Sequence, residues 1–204
     1  MVGSDDLARE IAKPTDQRDV HTYVHKESGA DGPRILSIIR PAKYPERLRP
    51  FLNALSAARV GIIEVQRIDA TLGEALVAFA SSGLTKGMAI INAPEGEWVD
   101  EEQAKMLFKQ AGLADWTFAQ GDGIELRTIL YGFMDDIADE LRANAEAPLV
   151  IPVDQYFNVK GIGLVAIGYV QSGTVHVHDE LVLLPANGTG NAKSLQVMDD
   201  DVPA

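Results

Sequence analysis

The chain has 204 residues, 46% of them hydrophobic and 24% charged, with a formal net charge of −12 and no cysteine. These values are ordinary for a soluble globular protein of one large or two small domains, and the lack of cysteine excludes disulfides and thiolate metal sites and favours a cytoplasmic location. The negative charge argues against wholesale nucleic-acid binding, so we expect no DNA partner, and the lack of a long apolar run argues against a membrane partner.

The first 147 residues alternate between strand-like and helix-like patterns. Short apolar runs predict strands at 21–25, 35–39, 61–68, 88–91 and 116–119. Apolar residues at helical spacing predict helices at 48–55, 72–80, 100–111 and 126–133. Such alternation predicts an α/β domain with a mostly parallel sheet and flanking helices. Residues 1–19 are polar and acidic, so we expect weak order there, apart from a short helix at 7–11.

Residues 148–204 show a different pattern, in which short apolar runs are separated by turn residues rich in glycine. The runs predict strands at 164–170, 174–177 and 181–184. No helical pattern interrupts them, which favours a small barrel or sandwich. The charged stretch 138–148 is typical of a helix end that leads into a linker, so we divide the chain into domains 1–147 and 148–204.

The second domain also carries a resemblance to a known family. The sequence FNVKGIGLVAIGYVQSGTVHVHDELVLLP at 157–185, followed by LQVMDDDV at 195–202, is similar to the start of the second domain of the elongation factor Tu and SelB family of translational GTPases. The matching features are the F-x-V-x-G-x-G-x-V opening, the strand with Gly168, the Ser172-Gly173 turn and the D-E-L-x-L-L-P strand. In that family a β-barrel follows a GTP-binding domain. The resemblance therefore implies a degenerate P-loop-GTPase-like α/β domain followed by a partial translation-factor-type β-barrel.

The barrel of that family continues for several more strands beyond the point that corresponds to Ala204. The resemblance thus implies an incomplete barrel over 148–204, and about 55 residues make a marginal domain by themselves. We expect either that the chain is a fragment of a longer protein, whose missing C-terminal segment completes the barrel, or that a homodimer does so.

The motifs that bind GTP in this family are missing from the chain. The phosphate-binding pattern G-x-x-x-x-G-K-[S/T], whose backbone N–H groups cradle phosphates, occurs nowhere. The D-x-x-G motif should follow the strand at 35–39, where the chain has RPAK, and N-K-x-D should follow 88–91, where only Asn92 is kept. We also expect the 34 residues before Ile35 to be too few for the usual strand, phosphate loop, helix and second strand. We therefore expect a pseudo-GTPase with no catalytic residues and no cofactor, and the alternative is a divergent GTPase with a rebuilt phosphate site.

The candidate binding residues are basic and aromatic. A segment of opposite charge to the rest of the chain follows the strand at 35–39 and contains Arg40, Lys43, Tyr44, Arg47 and Arg49. Because open α/β sheets bind ligands at the carboxyl ends of their strands, this segment predicts an anion or RNA-backbone site, with Tyr44 able to stack on a base. The alternative is a solvated helix face balanced by acidic residues elsewhere in the fold.

The resemblance adds two candidates and a class of partner. In the family the barrel helps to hold the aminoacyl end of tRNA and faces the small ribosomal subunit. At the corresponding tip of this barrel lie Asn158 and Lys160. We therefore expect a non-catalytic factor that contacts tRNA, the ribosome or another translation component.

Histidine and tryptophan residues are expected to be structural. The histidines form two pairs with strand spacing, His21 with His25 and His176 with His178. Each pair could supply two metal ligands, but no third ligand is indicated, so we expect no metal site. Trp98 and Trp116 flank the helix predicted at 100–111, and we expect both to pack in the core.

Overall fold

The structure, a computed structural model, describes residues 1–29, 32–197 and 200–204. It divides into two compact units, Met1–Asp135 and Asp136–Ala204, which are described separately below. Within the described residues, every helix is too short or too polar to cross a membrane.

The first unit combines helices with two three-stranded sheets. The helices are α1 (Asp5–Ile11), α2 (Leu48–Ala57), α3 (Ala70–Ser81), α4 (Glu101–Ala111) and α5 (Gly123–Ala143), the last of which runs on into the second unit. The strands are β1 (Lys13–Gln17), β2 (Val20–Gly29), β3 (Gly32–Pro41), β4 (Val60–Val65), β5 (Lys86–Ile91) and β6 (Thr117–Ala119). Strands β4, β5 and β6 are parallel, whereas β1, β2 and β3 are antiparallel. The predicted α/β fold is confirmed.

The predicted helices α3 and α4 form where the sequence provides local end signals. The Asp69 carboxylate accepts a hydrogen bond from the Leu72 N–H at 2.9 Å and caps α3. Asp100 caps α4 in the same way, and Gly112 ends that helix with a φ of 89°, which a residue without a side chain adopts easily. Their apolar faces cover the parallel sheet, whose strand β4 is buried from Gly61 to Val65.

Trp116 packs in the core, as predicted, and glycines make the space for it. Gly61 and Gly87 lie opposite each other on β4 and β5. A side-chain carbon built on either glycine would collide with the Trp116 indole. The ring also contacts Phe79 and Phe108, with centroids 5.2 and 5.8 Å away. Two glycines in a buried strand pair are thus explained by one large side chain.

The expectation of weak order near the N-terminus is wrong. Met1 donates from its amino group to the Ile39 carbonyl at 2.7 Å, and Val2 forms a parallel bridge with Ile63. The Val2 N–H donates to the Ile62 carbonyl at 2.8 Å. Residues 1–3, called the strand segment 1–3 below, thus form an isolated bridge to β4 and a hydrogen bond to β3, and so link the two sheets.

The described part of the 34 residues before Ile35 consists of short elements. They contain the strand segment 1–3, the seven-residue helix α1, and the strands β1 and β2. Each element is short, and the side chains of α1 that face inward, Leu7 and Ile11, are buried. That these residues are too few for a strand, a phosphate loop, a helix and a second strand of the usual length stays a prediction.

The strand predicted at 35–39 lies in an antiparallel pair. Tyr23 on β2 lies opposite Ile38 on β3. Leu36 and Ile38 are buried while Ser37 between them is exposed, so β3 has one core face and one exposed face. Its hydrophobic residues therefore alternate with the pleat, and the strand is not buried on both sides.

The second unit consists of short antiparallel strand pairs. The strands are β7 (Val153–Val159), β8 (Gly163–Gly168), β9 (Glu180–Leu183), β10 (Gly188–Asn191), β11 (Leu195–Val197) and β12 (Asp200–Val202). They pair as β7 with β8, β9 with β10 and β11 with β12. Met198 and Asp199, part of the segment that resembles the family, lie outside the described residues.

The strand predicted at 174–177 is not formed. The Asp179 carboxylate accepts a hydrogen bond from the His176 N–H at 2.7 Å, and His178 has a φ of 79°. Side chains of aspartate commonly bind the backbone in this way and stabilise a turn in place of a strand. The turn at Gly173 is as predicted: its φ is 70°, and a side chain there would collide with the Ala147 carbonyl.

Little apolar surface is buried in the second unit. Among its described residues, Val175 is the one hydrophobic side chain that is buried, at 9% exposure. The large hydrophobic residues that are exposed are Val150, Val153, Tyr156, Phe157, Ile162, Leu164, Ile167, Val170, Val182, Leu183, Leu184 and Val197. A unit with so little core gains little free energy from the hydrophobic effect.

Candidate functional site

The loops that follow the strand segment 1–3, β4 and β5 come together at one edge of the parallel sheet. In open α/β folds this carboxyl edge is where ligands bind. Ser4 follows the strand segment and begins α1, Glu64 is the next-to-last residue of β4, and Asn92 directly follows β5. The side chains of these three residues meet.

Glu64 is the centre of this cluster. Its carboxylate accepts hydrogen bonds from the Ser4 N–H, from the Ser4 hydroxyl at 3.1 Å and from the Asn92 amide at 2.6 Å. The side chain lies among polar partners although Glu64 is only 6% exposed. All of these donors belong to the chain itself, and their hydrogen bonds compensate for the burial of the carboxylate.

The carboxylate also stands at the beginning of helix α1. The Ser4 hydroxyl caps this helix by accepting a hydrogen bond from the Leu7 N–H at 3.2 Å. Free N–H groups and the helix dipole give a helix N-terminus a partial positive charge, which an anion stabilises. Glu64 thus provides an internal anion at this helix start.

Close approach of Glu64 depends on Gly3. A side-chain carbon at Gly3 would lie 2.8 Å from Cβ of Glu64 and 2.9 Å from its Oε2. Carbon atoms do not approach this closely without displacement, so a larger residue would push Glu64 away from Ser4. The glycine is therefore required by packing against the carboxylate.

Arg40 is part of the same edge. Its Nε donates to the Gly3 carbonyl at 2.7 Å, and its guanidinium lies 4.0 Å from the Asp5 carboxylate. Asp5 also accepts hydrogen bonds from Arg9 and from the Tyr23 hydroxyl, and these two bonds hold its pKa below the usual range. Arg40 is thus held by contacts within the fold.

The side chain of Tyr44 also has partners within the fold. Its hydroxyl donates to the Thr71 carbonyl at 3.2 Å, and its ring lies 4.4 Å from the Phe51 ring, centroid to centroid. Burial raises the pKa of the Tyr44 hydroxyl, and the charges of Glu74 and Asp69 raise it further. The ring belongs to the edge of a core cluster and is not presented as a free stacking surface.

The other predicted basic residues are exposed. Lys43 and Arg49 form no ion pair with the described residues, and Arg47 lies 3.3 Å from Asp19 in an exposed pair. In the second unit, Asn158 is exposed near the end of β7, and Lys160 is exposed in the turn between β7 and β8. Lys43 and Arg47, which precede α2, and Arg49, in the first turn of α2, are together called the basic loop below.

Trp98 does not pack in the core, and that prediction is wrong. It is 80% exposed, whereas Trp116 is 4% exposed. Trp98 lies in the loop between β5 and α4, which has no apolar periodicity that could place it. Across the described residues, no three His, Cys, Asp or Glu side chains are grouped so that they could hold a metal ion.

Comparison with known proteins extends over most of the chain. No protein-family model matches it. An uncharacterized protein of Methanocaldococcus jannaschii, MJ0325, is 27% identical over 195 residues, which cover 96% of this chain and 59% of that protein. The selenocysteine-specific elongation factor of the same organism is 35% identical over 83 residues, 40% of this chain and 17% of the factor. Elongation factor 1-alpha of Methanospirillum hungatei is 22% identical over 152 residues, 74% of this chain and 32% of that protein.

Solved structures share the fold. The bacterial selenocysteine-specific elongation factor EF-Sec matches with a TM-score of 0.64 and 21% identity, over 92% of this chain and 34% of that one. SelB from Methanococcus maripaludis, in complex with the GTP analogue GppNHp, matches with a TM-score of 0.58 and 18% identity, over 91% of this chain and 43% of that one. The chain is a distant homologue of the SelB and elongation factor 1-alpha translational GTPases. It spans 59% of the length of MJ0325, 17% of the selenocysteine-specific factor and 32% of elongation factor 1-alpha.

The Glu64 cluster lies where the chain passes from the strand segment 1–3 into α1. In this chain the strand segment 1–3, Ser4, α1, β1 and β2 follow one another. Ser4 alone stands between Gly3 and α1, and the carboxylate of Glu64 binds there. The one sequence signal was the acidic residue inside the apolar run GIIEV at 61–65.

Proposed function

We propose that this homologue of SelB is a non-catalytic, cytoplasmic component of translation that binds tRNA, the ribosome or another translation factor without hydrolysing GTP. The observation that carries the proposal is the hydrogen-bonded Glu64 carboxylate at the start of α1. A nucleotide phosphate at this place would meet a buried negative charge, and like charges at short distance repel strongly when water is excluded.

The energetics favour the internal anion over a nucleotide. A phosphate that displaced Glu64 would take its donors and leave a buried carboxylate without partners, which costs several kcal/mol. The absent lysine, Mg²⁺ ligand and base-reading aspartate would each contribute about 1.5–3 kcal/mol of charge-assisted hydrogen bonding. Asn92, the one residue kept from the base-reading motif, donates to Glu64. The chain therefore lacks the nucleotide contacts that could offset the free-energy cost of displacing Glu64 from its donors.

Thermal melting with GTP–Mg²⁺ and with GDP at millimolar concentration tests this part of the proposal. A nucleotide at a hundred times its Kd would stabilise the protein by about 2.7 kcal/mol and raise the melting temperature by several degrees. We expect no shift. A clear shift that Lys43→Ala abolishes would instead support the alternative, a divergent GTPase that uses the basic loop as a rebuilt phosphate site.

The basic loop is the proposed contact for an RNA backbone. Lys43, Arg47 and Arg49 are exposed on a chain that is otherwise acidic, so they form a local attraction for phosphates. Residues 136–204 contain ten acidic and three basic residues, so the second unit is poorly suited to RNA except at its tip, near Asn158 and Lys160. The loop in the first unit should therefore provide most of the electrostatic affinity.

A charge-matched pair of variants tests the basic loop. The triple substitution Lys43→Ala, Arg47→Ala and Arg49→Ala should weaken tRNA binding and lower the slope of log affinity against log salt by roughly 0.7–0.9 for each phosphate that the loop neutralises in the wild type. The control replaces three exposed lysines elsewhere, Lys13, Lys109 and Lys193, and has the same net charge. Equal weakening in both variants would mean that overall charge, and not the loop, determines binding.

We also propose that further polypeptide covers the exposed apolar strands of the second unit, from a second copy of the chain or from a longer form of it. The support is the near absence of buried hydrophobic side chains among the described residues of that unit. Sedimentation of the 204-residue chain distinguishes the two. A dimer supports the second copy, and a monomer whose second unit is cut rapidly by protease supports the longer form.

A further inference from the structure

Trp98 is an exposed indole on a surface that the proposed function does not use. Tryptophan is the largest apolar side chain, and 80% exposure leaves most of it in water. Tryptophan is also one of the residues that most often dominate the binding energy of protein interfaces. A side chain of this kind in a polar loop indicates an interaction surface.

The loop holds Trp98 in a defined position. Glu97 accepts two hydrogen bonds from the Arg67 guanidinium, at 2.7 and 2.5 Å, and its N–H closes a turn onto the Pro94 carbonyl at 2.9 Å. On the other side, Val99 packs against the core and Asp100 caps α4. The backbone is fixed on both sides of Trp98, so little conformational entropy would be lost when a partner binds.

The charge around Trp98 identifies the chemistry of the partner. The acidic residues of the loop and of the first turn of α4 are Glu95, Glu97, Asp100, Glu101 and Glu102. The nearby bases, Arg67 and Lys105, are already paired with members of this set. RNA phosphates would be repelled here, whereas a cation is attracted both by the carboxylates and by the face of an indole.

We propose that Trp98 and its acidic neighbours form a docking surface for an arginine- or lysine-rich segment of a partner protein. The cationic side chain stacks on the indole, and the rest of the segment is attracted by the net charge of −3 that the five acidic residues keep after pairing with Arg67 and Lys105. This surface is distinct from the basic loop, and its function does not depend on whether the protein binds nucleotide or RNA.

A labelled nona-arginine peptide at 150 mM salt is the probe, and fluorescence anisotropy is the measurement. Trp98→Ala keeps the net charge of the protein, so non-specific attraction to the acidic chain is unchanged in this variant. We expect the affinity to fall by about threefold to thirtyfold, the range of a cation–π contact. The affinity of Trp98→Phe for the peptide should lie between those of the wild type and Trp98→Ala. The matched control is Met106→Ala, an exposed apolar residue on α4, which should bind as the wild type does.

Three results would overturn the proposal. The first is equal affinity of the wild type and Trp98→Ala for the peptide. The second is Trp98-dependent binding of poly-uridine that exceeds binding of the peptide, which would assign the indole to RNA. The third is a difference in sedimentation between the wild type and Trp98→Ala without peptide, which would show that the indole mediates contact between copies of the chain. An unchanged melting temperature confirms that each variant is folded, as expected for an exposed side chain.

Discussion

Replacement of Glu64 tests whether its carboxylate stabilises the fold in place of a ligand. In Glu64→Ala, the Ser4 N–H, the Ser4 hydroxyl and the Asn92 amide lose their acceptor in a region that is largely closed to water. A buried donor left without a partner costs about 1–3 kcal/mol, and three donors with partial access to water should together cost about 3 kcal/mol. For a chain of this size, that loss lowers the melting temperature by roughly 6–12 °C.

A second variant separates charge from shape. Glu64→Gln keeps the volume and one acceptor oxygen, but its NH₂ group would face a donor that the carboxylate now accepts from. We expect a loss of about 1–2 kcal/mol, smaller than for alanine. Glu95→Ala serves as the control, because Glu95 is exposed and forms no ion pair with the described residues, so it should change stability by less than about 0.5 kcal/mol.

Urea unfolding and thermal melting followed by circular dichroism measure both variants. The order of stability expected is wild type, then Glu64→Gln, then Glu64→Ala. A melting temperature that rises in Glu64→Ala would refute the reasoning. It would show that the buried carboxylate is a strained functional group, of the kind that proteins keep at a cost in stability.

Three further predictions concern the first unit. Burial lowers the pKa of the Met1 amino group to about 5 from its usual 8.0, so between these pH values the unfolded chain binds a proton that the folded chain does not. The free energy of unfolding should therefore fall by up to about 4 kcal/mol as the pH drops from 8 to 5, and urea unfolding should show that this slope disappears when the amine is acetylated. Gly87→Ala should destabilise the protein by about 1–3 kcal/mol, because its methyl group meets the Trp116 indole. Gly73→Ala in α3, where the added carbon has no neighbour within 4 Å, should stabilise it by about 0.5–1 kcal/mol in the same melting experiment.

Elements that carry their own end signals could be predicted from the sequence. Asp69 and Asp100 cap their helices and Gly112 ends one, so α3 and α4 formed close to where the pattern placed them. The strand segment 1–3 could not be predicted in this way. Three residues have no periodicity, and their conformation comes from hydrogen bonds to β3 and β4, which are distant in sequence.

The candidate site could be predicted only in part, because it too depends on contacts between residues that are distant in sequence. The basic segment after β3 was evident as a run of charge, but the sequence could not show that Arg40 and Tyr44 have partners within the fold. The role of Glu64 could not be predicted, because it depends on Ser4 and Asn92, which lie 60 residues before it and 28 after it. A single charge in a buried strand nevertheless requires partners, and this requirement could have indicated the cluster.

The Glu64 cluster also bears on how such a factor would work. A translational GTPase changes state because its phosphate-binding edge is organised by a ligand that hydrolysis alters. In this chain the carboxyl edge of the parallel sheet is organised by Glu64, Ser4, Asn92 and Arg40, all of which are permanent. With the proposed function, the edge has a single state at any nucleotide concentration. A partner would then be bound and released according to its affinity and the salt concentration, and any timed release would have to come from the partner.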